Sequence, residues 1–157
     1  MYKKILVGID DSKHSEKTLE LAREIQKTFD SELVVFHSIE HKMIPKILTL
    51  PIPPFEPKSV YRISRVDYNK LRQGSIKKGR QILEKAEKTV RKDAPKVETR
   101  LVTELKPEDY AIHTCKEENF DLIILGQKGD HNVIEKILGS VSEKVMINAE
   151  CDVLIVK

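Results

Sequence analysis

Five stretches of this 157-residue chain are apolar without interruption or alternate apolar with polar, and between them apolar residues recur every three or four positions. Ile5-Leu6-Val7 centres a first strand over residues 3–9, and Leu33-Val34-Val35-Phe36 a second over 32–38, ending in His37-Ser38. Apolar and polar side chains alternate through Val97, Thr99, Leu101 and Thr103, or equally Val102 on the other face, and predict a third strand. Leu122-Ile123-Ile124-Leu125 and Val153-Leu154-Ile155-Val156 are continuous runs, as expected of strands with little water on either face. The intervening segments have helical spacing: Leu19, Ala22 and Ile25; then Tyr68, Leu71, Gly79, Ile82, Leu83, Ala86 and Val90 in one amphipathic helix over 66–93; then Ala111, Ile112 and Cys115; then Val141, Val145 and Met146. Pro95 forbids continuation of the long helix, and Pro107 stands at a helix start, where its missing N–H costs nothing. Gly74 and Gly79 mark points of close packing or weakness in the long helix.

Strands that alternate with helices predict an α/β fold: a single-domain open parallel five-stranded sheet, joined by right-handed crossovers and covered by helices on both faces. Only residues 40–65 break the pattern. Pro45, Pro51, Pro53, Pro54 and Pro57 exclude a regular helix, while Ile44, Ile47, Leu48, Leu50, Ile52 and Phe55 supply apolar side chains. An apolar, Pro-rich insertion of that length is expected to be a lid or an arm for a partner.

Composition narrows the class. Charged residues make up 34% and hydrophobic residues 39% of the chain, with no Trp, which describes a globular domain with a heavily charged surface. The net charge of +3 decides little. Lys and Arg stand among Glu and Asp along the helices, and the cluster Arg72, Lys77, Lys78 and Arg80 is expected to be a solvated face, so no nucleic-acid partner is anticipated. No apolar run approaches the ~20 residues of a membrane span and no signal peptide is visible. A cytoplasmic protein without a membrane partner is expected. There, Cys115 and Cys151 read as two small buried thiols, with a bridge between them the other possibility. Neither has metal-ligand spacing to a His or Cys, and no metal site is expected from side chains.

The chemistry concentrates where the fourth strand ends. Gly126 and Gly129 follow it, nine residues intervene, and Gly139-Ser140 precede the helix that contains Ser142. Glycines there permit positive φ and close backbone approach to an anion, and helix-start N–H groups favour negative charge. The same residues also fit a plain reading in which the glycines turn the chain and Ser140 caps a helix. Asp10 and Asp11 end the first strand with a like ambiguity. They form a turn and a cap, or Asp10 faces a ligand at the carboxyl end of the sheet with Asp11 or Ser12 as the cap.

The full spacing Gly-x2-Gly-x9-Gly-Ser resembles the nucleotide-binding signature of the universal stress protein family. The resemblance extends to Tyr2-Lys3-Lys4-Ile5-Leu6-Val7-Gly8-Ile9-Asp10, to Asp11-Ser12, to Leu33-Val34-Val35-Phe36-His37 and to Cys151-Asp152-Val153-Leu154-Ile155-Val156. Gln127-Lys128 and Asp130 depart from the family's usual residues, and Asp130 puts a carboxylate beside the expected phosphates. The resemblance implies strand order 3-2-1-4-5, a Rossmann-like sheet akin to the adenine nucleotide alpha hydrolases, and ATP with Mg²⁺ or Mn²⁺ held mainly by the phosphates. It implies a site built from Gly8, Ile9, Asp10, Ser38, Gly126, Gln127, Lys128, Gly129, Asn132, Gly139, Ser140, Val141 and Ser142, with Ser38 meeting the adenine through its main chain. It further implies a cytoplasmic, nucleotide-dependent sensor or regulator of stress responses with a downstream protein partner. In that order the last strand is an edge, so a homodimer through Val153-Leu154-Ile155-Val156 is expected.

Rival readings stay on the page. Slow ATP hydrolysis or nucleotidyl transfer could run on the same sheet, but the chain has no Walker Gly-x4-Gly-Lys-Ser/Thr pattern, and no catalytic residue is assigned. A flavin domain lacks aromatics to stack on its ligand. A nucleotide-free interaction module would not need the glycines.

Overall fold

A computed structural model describes residues 1–40, 47–49, 60–62, 64–91, 96–127 and 138–157. The elements run β1 (Lys4–Gly8), α1 (Lys13–Phe29), β2 (Glu32–Ser38), β3 (Ile47–Thr49), β4 (Val60–Arg62), α2 (Arg65–Arg91), β5 (Val97–Val102), α3 (Pro107–Glu117), β6 (Leu122–Gly126), α4 (Ser140–Asn148) and β7 (Asp152–Val156). Five of the strands form one sheet in the order β5-β2-β1-β6-β7. All its pairings are parallel, with Ile5 opposite Leu33 on one side and Leu122 on the other. Counted among themselves these strands stand 3-2-1-4-5, the order that the family resemblance implies.

Two apolar layers explain why the strand sequences are apolar throughout. Ile5, Val7, Leu33, Val35 and Ile124 pack beneath α1 and α2 through Leu19, Ala22, Leu83, Ala86 and Val90. Leu6, Val34, Phe36, Ile123 and Leu125 point the other way and pack with Ala111, Cys115 and Val145 of α3 and α4. Because strand side chains alternate between faces, helices on both sides require both sets to be apolar.

Three expectations change. Within the stretch read as an irregular loop, β3 and β4 pair antiparallel, Leu48 opposite Tyr61. The other apolar residues read there, among them Ile44, Ile52 and Phe55, lie outside the described residues. Cys115 in α3 and Cys151 before β7 form a disulfide across 36 positions of sequence, their Cα atoms 6.9 Å apart, where separate thiols were the default. The packing of α3 against α4 brings them together. Finally, none of the described glycines has a positive φ, so Gly126 serves a packing purpose. A Cβ there would stand 3.3 Å from His14 Cβ and 3.5 Å from Thr18 Oγ1.

Candidate functional site

The carboxyl ends of β1 and β6 lie side by side, and the connections from them leave toward opposite faces of the sheet, α1 on one and α4 on the other. Such a switch point opens a crevice. Here it is a cavity of about 580 Å³, walled by Gly8, Ile9 and Asp10 from β1, Phe36 and Ser38 from β2, and Leu125, Gly126 and Gln127 from β6. Three helix starts close it: Ser12 and Ser15 of α1, Lys106 to Glu108 of α3, and Gly139 to Ser142 of α4. Each helix N-terminus carries unpaired N–H groups and about half a positive charge. Their convergence makes one end of the cavity attractive to an anion.

Gly8 has a steric reason to be glycine. A Cβ on it would lie 2.5 Å from Leu125 Cδ2 and 2.9 Å from Phe36 Cζ, so the floor of the crevice admits no side chain.

Asp10 both fastens the start of α1 and lines the cavity. Its Oδ1 accepts the Ser12 N–H (3.0 Å) and the Ser15 hydroxyl (2.8 Å), and its own N–H donates to Ser15 Oγ (2.9 Å). Ser12 stands at the N-cap position but makes no side-chain cap bond. Asp11 instead pairs with Lys78 of α2 at 2.5 Å. The acid that starts α1 is therefore also the acid that lines the cavity.

The α4 side is more specific. Gln127 N–H donates to Val156 O (2.8 Å) and Gly139 N–H to Gln127 O (2.9 Å), which spends Gly139's donor on closing the loop. The first bond of the helix runs from Glu143 N–H to Gly139 O (2.9 Å). The N–H groups of Ser140, Val141 and Ser142 precede it and have no helical acceptor. Ser142 Oγ donates to Gly126 O (2.8 Å) and is buried. Its hydroxyl is thus a tie between α4 and β6 rather than an extra donor to a ligand. Ser140 is exposed at the first turn and lines the cavity. Lys128, Gly129 and Asn132, and with them Asp130, lie outside the described residues.

Ser38 also has a side-chain duty that its residue type did not announce. Its hydroxyl donates to Leu105 O (2.6 Å), fixing the turn that leads into α3 and so the Lys106 and Pro107 wall. Lys106, Glu108, Phe36 and Ser15 are lining residues that sequence reasoning missed. Pro107 as a helix start pointed near two of them; only topology brings that start to the crevice. Glu108 is buried and receives the Lys144 ammonium at 2.9 Å. Burial pushes its carboxyl up, but the Lys144 hydrogen bond, a backbone hydrogen bond and the nearby cations outweigh it, leaving it below the usual carboxylate value. The cavity wall therefore carries a compensated ion pair rather than a bare charge.

Comparison with known proteins places the chain in a family. The model of the universal stress protein family matches residues 1–157. Universal stress protein YxiE of Bacillus subtilis is 29% identical over 157 residues, covering all of both chains. Universal stress protein MJ0577 of Methanocaldococcus jannaschii is 30% identical over 161 residues, covering all of this chain and 96% of its own. A solved structure of MJ0577 superposes with a TM-score of 0.77 at 26% identity, covering 100% and 96% of the two chains. A universal stress protein in complex with cAMP gives 0.67 at 23% identity, over 99% of this chain and 97% of its own. One from Archaeoglobus fulgidus in complex with dAMP gives 0.62 at 23%, over 99% and 98%. These last two speak to the fold.

Proposed function

Because the chain belongs to the universal stress protein family along its whole length, we propose that it binds an adenine nucleotide, ATP with Mg²⁺ or Mn²⁺ held mainly by the phosphates. In this reading it is a cytoplasmic, nucleotide-dependent sensor or regulator of the stress response. The observation that carries the reading is the set of Ser140, Val141 and Ser142 N–H groups without helical acceptors, on residues that line a cavity also lined by two further helix starts. Phosphate oxygens satisfy such donors better than water does, since the dipole adds to the hydrogen bonds.

The base and ribose occupy the other end, among Gly8, Ile9, Asp10, Phe36 and Ser38. Two structural relatives hold cAMP and dAMP, which share the adenine base. The phosphates lie along Gly126, Gln127 and the start of α4, with Ser140 supplying a hydroxyl. Lys128, Gly129 and Asn132 complete that side by their place in the glycine motif, Lys128 offsetting phosphate charge. No side chain is assigned to catalysis, and turnover amounts to slow hydrolysis at most. The active unit is a homodimer formed through β7 that passes its nucleotide state to a protein partner.

Calorimetric titration with ATP and Mg²⁺ tests this on protein stripped of nucleotide. Micromolar-range binding is expected in the wild type. Ser140→Asp places a carboxylate where helix stability favours it but phosphates do not. It is expected to keep the fold and bind at least about tenfold more weakly, roughly 1.4 kcal/mol. Gly129→Val should lose binding by adding a Cβ to the glycine loop. A folded wild type that releases no heat with ATP, ADP or AMP would overturn the reading.

A further inference from the structure

The net charge of +3 conceals a segregation along the chain. Residues 42–92 contain 14 Lys and Arg against 4 Asp and Glu, whereas the rest of the chain contains 14 against 21. The basic segment is largely α2, and its charge is concentrated on the amino-terminal half, where Arg65, Lys70, Arg72, Lys77, Lys78 and Arg80 face a single acid, Asp67. Lys78 is held by Asp11 and Arg72 by Glu104. Among the described residues, Lys70 and Lys77 have no carboxylate within ion-pair distance, and both are exposed.

Beside them runs a groove of about 310 Å³ between α2 and the end of β2, with Leu71, Gly74 and His37 in its lining. Helical spacing puts Lys70 and Leu71 one turn before Gly74 and Lys77 and Lys78 one turn after it, all on one face. Leu71 is 43% exposed, a large apolar side chain within a basic surface.

Gly74 itself is the second observation. Glycine weakens a helix interior, so a glycine there calls for a reason. Gly79, one and a half turns on, has one: a Cβ would meet Leu101 Cδ1 at 2.6 Å. At Gly74 a Cβ would meet nothing within 4 Å. The bare backbone at this position serves no contact within the described chain and leaves the groove floor open to something outside it.

We propose that this groove docks an acidic peptide segment of a partner protein, an aliphatic side chain lying over Gly74 against Leu71 and carboxylates meeting Lys70 and Lys77. A peptide fits better than a nucleic acid because no Phe, Tyr or Trp is in the described lining to stack a base. The proposal is independent of the nucleotide site, and its test adds no adenine nucleotide.

The test is fluorescence anisotropy of the full-length protein with a labelled dodecapeptide of repeating Glu-Leu-Glu-Glu. The same peptide with Gln for Glu, and a 12-nucleotide oligothymidine, serve as comparisons. The wild type is expected to bind the acidic peptide with an affinity that falls as salt rises, and to bind the Gln peptide at least tenfold more weakly. The double variant Lys70→Glu, Lys77→Glu should weaken binding at least tenfold. Gly74→Leu sets a side chain over the groove from a position where a Cβ meets no atom within 4 Å, so it should keep the melting temperature at or above the wild type's while weakening binding at least tenfold. That combination separates docking from folding. The proposal fails if the wild type does not bind the acidic peptide, if Gly74→Leu binds it as tightly as the wild type, or if oligothymidine binds more tightly and displaces it.

Discussion

A serine beside a phosphate-binding loop can serve the ligand or serve the loop, and Ser142 serves the loop. Its hydroxyl joins the first turn of α4 to Gly126 O across 16 positions of sequence. Sequence shows that a hydroxyl stands near two glycines, but not which acceptor the folded chain offers it. Ser142→Ala is expected to cost about 1 kcal/mol of stability, the net worth of a hydrogen bond whose partner carbonyl is left behind. It should also weaken nucleotide binding, because the three donor N–H groups sit on the turn that this bond anchors. Urea denaturation and titration on the same variant check both effects; a variant with wild-type stability would show that the bond adds nothing. Asp10 teaches the same lesson from the other side. Its Oδ1 bonds to Ser12 and Ser15 while the residue lines the cavity. A carboxylate has room for about four hydrogen bonds, so capping and ligand contact need not exclude one another.

At the scale of elements, apolar runs and helical spacing made the five sheet strands and four helices readable because each must cover a particular face. What was not readable depended on contacts between elements. Gly74 and Gly79 look alike in sequence, and the approach of β5 and the end of β2 distinguishes them, through Leu101 Cδ1, Ile39 Cγ2 and His37 Cδ2. Gly79→Ala is therefore expected to destabilise by about 1–3 kcal/mol through overpacking, despite alanine's better helix propensity. A melting temperature above the wild type's would refute the tight contact. The short ladder of β3 and β4 was hidden for a different reason: three residues a side, amid prolines, are too few to establish a period of two. Elements are also fastened at their starts by charge. Asp121, just before β6, accepts the N–H groups of Lys3 (2.7 Å) and Lys4 (2.8 Å) at the head of β1. The Lys4 and then the Lys3 hydrogen bond lower its carboxyl below the ordinary value of 3.8, against a small opposing effect of burial. A lowered native pKa stabilises the fold above the unfolded value, and that stability is lost as pH falls through the native one. Asp121→Ala should cost about 1–3 kcal/mol at neutral pH, for two bonds to a charged acceptor, and progressively less below about pH 4. Denaturation midpoints of both proteins along a pH series would show the gap closing; a constant gap would assign the loss to packing instead.

For the whole molecule, the strand order is the one that the family resemblance implies, and among the described residues it leaves β7 with a neighbour on one side only. Its inner backbone groups are spoken for: Asp152 N–H donates to Asp121 O (3.3 Å) and Val156 O accepts from Gln127 N–H (2.8 Å). In a parallel ladder the residues between those positions turn their backbone groups outward, so Val153 and Ile155 present theirs at the open edge. Their neighbours are half-buried aliphatics, and no proline, lysine or bulge within Asp152–Val156 blunts that edge. Strands of this kind pair readily with a second copy, and a two-fold axis would set β7 antiparallel to its twin. Ile155→Pro deletes one outward N–H, whereas Ile155→Ala removes the same side-chain packing and keeps it. Light scattering during size-exclusion chromatography should find the wild type and Ile155→Ala at twice the chain mass and Ile155→Pro at the chain mass. Were Ile155→Ala to fall apart equally, side-chain packing and not the backbone ladder would hold the pair. A monomeric wild type would remove the dimer from the proposed function while leaving the cavity between β1 and β6 in place.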